Sequence, residues 1–277
     1  MHLSIDHVTR YRYAEPAQGI IQLLRLTPRG TDSQHVLKWR IDVDADGRLT
    51  PFTDAHGNSC HIFYADHAVE SLTLHVAGAV QTAETAGIIS GTEDPLPPFI
   101  YLRSTPLTDA SPAIALFAEK YRSADALAQA HALMLGVREK MGFEPGVTDV
   151  VTDAASAFRL GSGVCQDLAQ IMISAARHLG SPARYVSGHY AAVDHPEQEA
   201  AHAWVELHIP HLGWVAFDPT HGVGSTQGHV RVAVGLDSLE ASPVRGTRRG
   251  GGAESLAVVV HGREYDARLP AQRQSQS

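Results

Sequence analysis

Over its first 85 or so residues the chain places apolar side chains at every second position between turn signals. That period of two suits a β-strand with one buried and one wet face, and it does not suit a helix. Leu37, Trp39, Ile41 and Val43 alternate with Lys38, Arg40 and Asp42, and Asp44-Ala45-Asp46-Gly47 ends the run. Similar alternation runs from Ile5 to Tyr13 and through Leu72, Leu74 and Val76. Asp54-Ala55-His56-Gly57-Asn58 reads as a hairpin turn ahead of a strand from Cys60 to Tyr64. Strands joined by turns in this way predict an antiparallel, β-sandwich-like N-terminal domain over residues 1–100.

The texture changes after a proline-rich stretch from Glu93 to Pro98, which breaks strands and helices alike and reads as a linker. Ser111 followed by Pro112 predicts an N-cap and first helical residue. Leu127, Ala130, Met134, Val137 and Met141 then form a stripe at helical spacing that Gly142 ends. Such a stripe is core rather than a cofactor surface. Gly161-Ser162-Gly163 leads into Cys165, which opens a helix whose apolar face is Leu168, Ile171, Met172, Ala175, Ala176 and Leu179, closed by Gly180 and Pro182. Strands follow at Arg184 to Tyr190, His202 to Ile209 and Trp214 to Asp218, with later ones at Val230 to Val234 and Leu256 to Val260. The fold class is α+β: residues 101–269 are expected to form a core with C-terminal strands, and the polar segment 270–277 a disordered tail.

Composition removes several functional classes. With 277 residues, 44% hydrophobic and 19% charged, the chain is an ordinary globular one. A net charge of −8 and no dense Lys/Arg cluster argue against nucleic acid. No run approaches a membrane span and no basic-then-apolar leader opens the sequence, so a cytoplasmic protein without membrane attachment is expected. Cys60 and Cys165 cannot make a disulfide framework or a zinc cluster. The 17 histidines are mostly isolated, and Asp54, His56, Cys60 and His61 follow no recognised ligand spacing, so neither metal nor cofactor is expected. Oligomeric state is not legible.

Three residues nevertheless make a candidate reactive centre. A thiol in the first turn of a helix feels the positive end of the helix dipole and unpaired N–H groups, both of which favour the thiolate. In His202 to Ile209, residues Ala203, Val205, Leu207 and Ile209 face the core while His202 and Trp204 face the other way. Asp218 ends the following strand, where it can orient the imidazole. The two share a face only if paired positions have an even sum, whereas a simple four-residue loop pairing Ile209 with Trp214 gives an odd one. An odd-length loop or a bulge is therefore required.

Three blocks carry a resemblance: Gly163-Val164-Cys165-Gln166-Asp167, Ala201-His202-Ala203-Trp204-Val205-Glu206, and Gly213-Trp214-Val215-Ala216-Phe217-Asp218-Pro219-Thr220. Through them the sequence resembles the transglutaminase-like superfamily of papain-like thiol enzymes. His7 to Tyr13, Leu24 to Arg29, Asp54 to Asn58, Pro145 to Thr148, His229 to Gly235 and Pro243 to Gly252 resemble its bacterial branch with a β-rich N-terminal region. His56, Phe143 and Leu236 depart from that branch's usual residues.

The resemblance implies a papain-like core in which a cysteine-bearing helix packs on an antiparallel sheet. It implies Cys165 as nucleophile, His202 as acid and base, and Asp218 as the group orienting His202. Gln166 and Trp204 are candidates for an oxyanion donor or for the cleft. The implied reaction is cleavage of a peptide or isopeptide amide through a thioester, with a peptide or protein as substrate. Transfer of glutamine acyl groups to amines is the alternative, and an inactive peptide-binding module is a third reading.

Overall fold

The computed structural model describes residues 1–92, 94–191 and 201–264. Its first strand, β1 (His2–Thr27), is 26 residues long and runs through the whole N-terminal sheet. The inward set is odd-numbered from Leu3 to Tyr13 and even-numbered from Ile20 to Leu26. The switch falls where the pairing register slips between Gln18 and Ile21, at Gly19 with φ +55°. A bulge there turns the second half of the strand over, and glycine accommodates the left-handed backbone without a Cβ clash.

Strands β2 (Gln34–Val43), β3 (Arg48–Thr53), β4 (Ser59–Ala65) and β5 (Val69–Thr82) complete the order β2-β5-β1-β4-β3, all antiparallel. These strands belong to one continuous hydrogen-bonded sheet. Side chains from both halves of β1, among them Tyr11, Tyr13, Ile20 and Leu24, share a buried cluster with Phe63, Leu72 and Leu74. Leu37, expected to face inward with Trp39, is 45% exposed because the register shifts between Val36 and Lys38. The short β6 (Ile88–Ile89) leaves this sheet and pairs with a strand of the second one.

The proline-rich segment leads into a 3-10 turn, Pro98–Leu102, whose Tyr101 is buried beside Trp214 and Leu236. Glu93, where that segment begins, lies outside the described residues. Helix α1 (Pro112–Glu119) starts as expected, with Ser111 Oγ accepting the Ile114 N–H. Helix α2 (Ala126–Lys140) buries Ala130, Met134 and Val137 from the anticipated stripe. After β7 (Gly142–Phe143) comes α3 (Ala154–Leu160), which the sequence reading did not place, then β8 (Ser162–Gly163) and α4 (Cys165–His178). Helix α4 is buried along nearly its whole length, since α1, α2 and α3 cover the side that the second sheet does not.

That sheet consists of β9 (Ala183–Tyr190), β10 (Ala201–Ile209), β11 (Gly213–Asp218), β12 (Val223–Gly224) and β13 (His229–Gly235), in the order β12-β11-β10-β9-β13. Ala203, Val205, Leu207 and Ile209 pack against α4 as anticipated. The other face is buried too. Arg184 and Arg231 both donate to Glu206, and the Arg184 guanidinium lies 3.9 Å over the Trp214 ring.

The last strands, β14 (Val244–Gly250) and β15 (Glu254–Glu264), correct the expected division of the chain. They pair with β1, in the N-terminal sheet, and not with the core sheet. Leu256 to Val260 was expected as a strand and β14 was not, and nothing local distinguishes two possible partner sheets. Arg248 lies in β14, bound to Glu254 and over the Tyr13 ring. The tail expected at 270–277 lies outside the described residues.

Two side-chain amides join the sheets. Gln34 bonds both backbone groups of Arg231, and Asn58 both backbone groups of Val234. They satisfy the open edge of β13, which would otherwise expose unpaired donors and acceptors. Among the described residues no helix is long and apolar enough to cross a membrane.

Candidate active site

Cys165 is the first residue of α4 and is partly exposed. The start of the helix is built around Asp167, whose Oδ2 accepts the Val164 N–H at 2.8 Å and the Thr148 hydroxyl at 2.6 Å. A Cβ on Gly163 would lie 2.5 Å from that oxygen, so the glycine before the cysteine is the space this carboxylate occupies. Gly161, at φ +79°, ends α3 and turns the chain toward the new helix.

His202 and Asp218 come together through the register of β10 and β11. Ile209 pairs with Gly213 across Pro210, His211 and Leu212, so the loop has the odd length that the shared face requires. His211 and Gly213, at φ 67° and 79°, make the tight turn. His202 Nε2 is 2.7 Å from Asp218 Oδ2, with the imidazole 7% exposed and the carboxylate fully buried. Cys165 acts on the charge of the His202 ring as well. The structure therefore brings His202 and Asp218 together across the hairpin, and it places Cys165 at the start of α4.

Two more imidazoles, not singled out from the sequence, share the carboxylate. His221 Nδ1 lies 2.6 Å and His229 Nε2 3.1 Å from Asp218 Oδ2. Asp218 Oδ1 accepts the backbone N–H groups of Thr220 and His221. Tyr190 packs at a tilt beside all three rings, and Arg138 of α2 donates to the His221 carbonyl, tying down the turn. A polar residue three positions beyond a strand-ending aspartate is a signal for His221. No local signal points to His229, which arrives from another strand.

The electrostatics follow from these contacts. Burial works against a charged carboxylate at Asp218, but hydrogen bonds from His202, His221 and His229 hold it well below the usual range. Burial likewise disfavours a charged His202, yet Asp218 and Cys165 outweigh it and raise the ring from 6.5 to about 10. His229 is lowered, chiefly by burial and also by the charges of His202 and His221.

The remaining candidates fall differently. Trp204 is 1% exposed in a cluster with Val186, Ala216 and Val234, stacked near His202 with its ring buried and not on an open cleft. Gln166 donates to the Asp149 carbonyl at 3.3 Å, which ties it to the loop before α3. Cys60 is buried in β4, its thiol pushed up to about 12, first by burial and then by nearby Asp54. Asp54 and His56 are engaged by Arg25, Asn58, Tyr101 and Glu240. Donor atoms of His202, Asp218, His221 and His229 lie within 4.8 Å of one another, close enough to weigh as metal ligands. A neutral imidazole ligating through Nε2 carries its proton on Nδ1, and at His229 that nitrogen already accepts the Thr226 N–H at 3.0 Å. The His229 hydrogen bonds therefore do not suit a ligand.

An antiparallel sheet crossed by a cysteine-headed helix, with a histidine and an aspartate on its central hairpin, defines a papain-like thiol-enzyme architecture. Residues 116–219 match the Transglutaminase-like superfamily, and residues 3–81 the Bacterial transglutaminase-like N-terminal region. The chain belongs to the transglutaminase-like superfamily and carries that N-terminal region. It is 28% identical over 282 residues to the "Uncharacterized protein ML0607" of Mycobacterium leprae, covering 93% of this chain and 97% of that one. It is also 34% identical over 136 residues to the protein-glutamine gamma-glutamyltransferase of Pseudomonas aeruginosa, spanning 43% of this chain and 20% of that protein. The fold is shared with a crystal structure described as "a Putative Cysteine Protease" from Cytophaga hutchinsonii. That match has a TM-score of 0.76 and 20% identity, over 98% of this chain and 92% of the other.

Proposed function

We propose that the protein cleaves an amide bond, peptide or isopeptide, through a thioester on Cys165. The observation that supports this reading is one imidazole, His202, held by Asp218 on one nitrogen and raised in part by Cys165, the first residue of helix α4. With Nε2 occupied by Asp218, Nδ1 is the ring nitrogen left for the thiol. Burial of Asp218 as a carboxylate favours imidazolium at His202 and so thiolate at Cys165.

The thiolate attacks the amide carbonyl carbon, forming a C–S bond and a tetrahedral oxyanion. The backbone N–H of Cys165, in the first turn of α4 and unpaired within the helix, is the proposed donor to that oxyanion. Neither Gln166 nor Trp204 is assigned a second donor role. The C–N bond then breaks as His202 gives its proton to the leaving amine. Water, deprotonated by His202, attacks the thioester, and the C–S bond breaks to restore the thiol and release an acid. Asp218 keeps the imidazole oriented throughout.

An amine in place of water would make the same centre an acyltransferase, the reading favoured by the name of the Pseudomonas relative. The test is mass spectrometry of a mixed peptide library incubated with the protein and a tagged primary amine, with Cys165→Ala as control. Cleaved, untagged peptides are expected. Tag on glutamine side chains would replace hydrolysis by acyl transfer, and no change beyond the control would leave a binding module.

A further inference from the structure

Asp218 Oδ2 serves three imidazoles, and His229 has no part in the reaction just described. Its ring is 2% exposed at the start of β13, and both of its nitrogens are engaged. Nδ1 accepts the Thr226 N–H at 3.0 Å, with the Thr226 hydroxyl 3.2 Å away, and Nε2 faces Asp218. A backbone N–H can only donate, so Nδ1 is bare and the proton of the neutral ring sits on Nε2. From there it can only donate to the carboxylate.

The surroundings hold this arrangement. A second proton on the ring would collide with the Thr226 N–H, and burial beside His202 and His221 opposes a positive charge there. Tyr190 and Trp204 pack against the ring, at centroid distances of 4.6 and 5.0 Å. The strand cannot slide, because Gln34 and Asn58 of the N-terminal sheet clamp Arg231 and Val234 two and five residues further on. His221, by contrast, is 36% exposed and reaches Asp218 from the adjoining turn.

We propose that His229 is a positioning residue, a neutral imidazole locked by Thr226 in the Nε2–H tautomer that fixes Asp218 Oδ2 toward His202. The proposal rests on the reading of Cys165, His202 and Asp218 as the reacting group. It also gives the N-terminal sheet a role in that group, since the sheet holds the strand from which His229 projects. Without the His229 donor the carboxylate keeps the backbone bonds to Oδ1 and the bond from the more exposed His221 but loses the bond that sets Oδ2 from the buried side. It can then rotate, and His202 loses its aim at the thiol.

The test compares His229→Gln, which keeps an N–H near the Nε2 position, with His229→Met, which keeps bulk and offers no donor. The rate of Cys165 alkylation by iodoacetamide is followed against pH, with folding checked by circular dichroism. Long-range 1H–15N spectra of the wild-type imidazoles are recorded alongside. His229→Met should slow alkylation at neutral pH by on the order of 10- to 100-fold and move its acid limb to higher pH, while His229→Gln recovers most of the rate. The spectra should report His229 as neutral and protonated on Nε2. Equal losses in both variants, or a His229 ring that is charged or protonated on Nδ1 at neutral pH, would overturn the proposal. Should wild-type Cys165 alkylate no faster than Cys60, the reacting-group reading fails instead, and the spectra still decide the His229 tautomer.

Discussion

Ile209 pairs with Gly213 across a three-residue loop, and this register puts His202 and Asp218 on one face of the β10–β11 hairpin, 2.7 Å apart. A slip of one residue would turn every side chain of one strand to the opposite face. The pairing of the two residues is thus a property of the turn as much as of the residues themselves.

Replacing Cys165 or His202 by alanine should abolish turnover, with a loss of about 10⁶-fold if the group acts as a unit. Asp218→Ala should leave more, with a loss of about 10⁴-fold, because His202 remains beside the thiol without its orienting partner. Steady-state rates on a peptide substrate from the library experiment check this order, and an Asp218→Ala variant slower than Cys165→Ala contradicts the assigned roles.

The two cysteines should differ sharply in reactivity. Cys165 is partly exposed beside His202, whereas Cys60 is buried with its thiol pushed up to about 12. Brief iodoacetamide treatment at neutral pH followed by peptide mapping should find the label on Cys165 alone. Comparable labelling of Cys60 would mean that β4 opens far more readily than its burial implies.

Stability should depend on pH through the same group. Asp218 is held below its unfolded value of about 3.9, so its contribution is present above that pH and fades as pH falls through the folded value. His202 is raised to about 10, so its contribution is complete below about 6.5 and is lost as pH rises toward 10. The melting temperature of the wild type should therefore fall across that alkaline window, and Asp218→Asn should fall less. A wild-type melting temperature that stays flat from 6.5 to 10 would contradict the His202 assignment.

Glu206 is fully buried and accepts from both Arg184 and Arg231. Glu206→Ala leaves Arg231 without its anion and Arg184 with Asp94 alone, and should lower stability by about 3–5 kcal/mol. Urea denaturation measures this, and a change within the range of ordinary surface substitutions would mean that water replaces the carboxylate.

Asn58→Ala removes the partner of both backbone groups of Val234. Each unpaired buried group costs about 1–3 kcal/mol, so the variant should be clearly destabilised. Amide exchange at Val234 should accelerate more than exchange in β10. If the two accelerate equally, the clamp acts on the whole fold and not on the β13 edge.

Much of this protein is legible in its sequence, because local physics writes it there. The period of two marked most of the N-terminal strands, the apolar stripes marked α2 and α4, and Gly161 to Gly163 announced the turn that places Cys165 at a helix start. The parity of paired positions even demanded an odd loop between β10 and β11. What a chain segment does depends there on its own side chains and their nearest neighbours. Other features are set by residues far apart in sequence, and these only the tertiary structure decided. The bulge at Leu37 and the continuity of the N-terminal sheet belong to this group, as does the return of β14 and β15 to β1. So does the arrival of His229 beside Asp218 on a strand clamped by Gln34 and Asn58. An alternating pattern states that a strand has a buried face but not which sheet buries it. Only packing the whole chain settles which partner strand is free, and with it which side chains meet at Asp218.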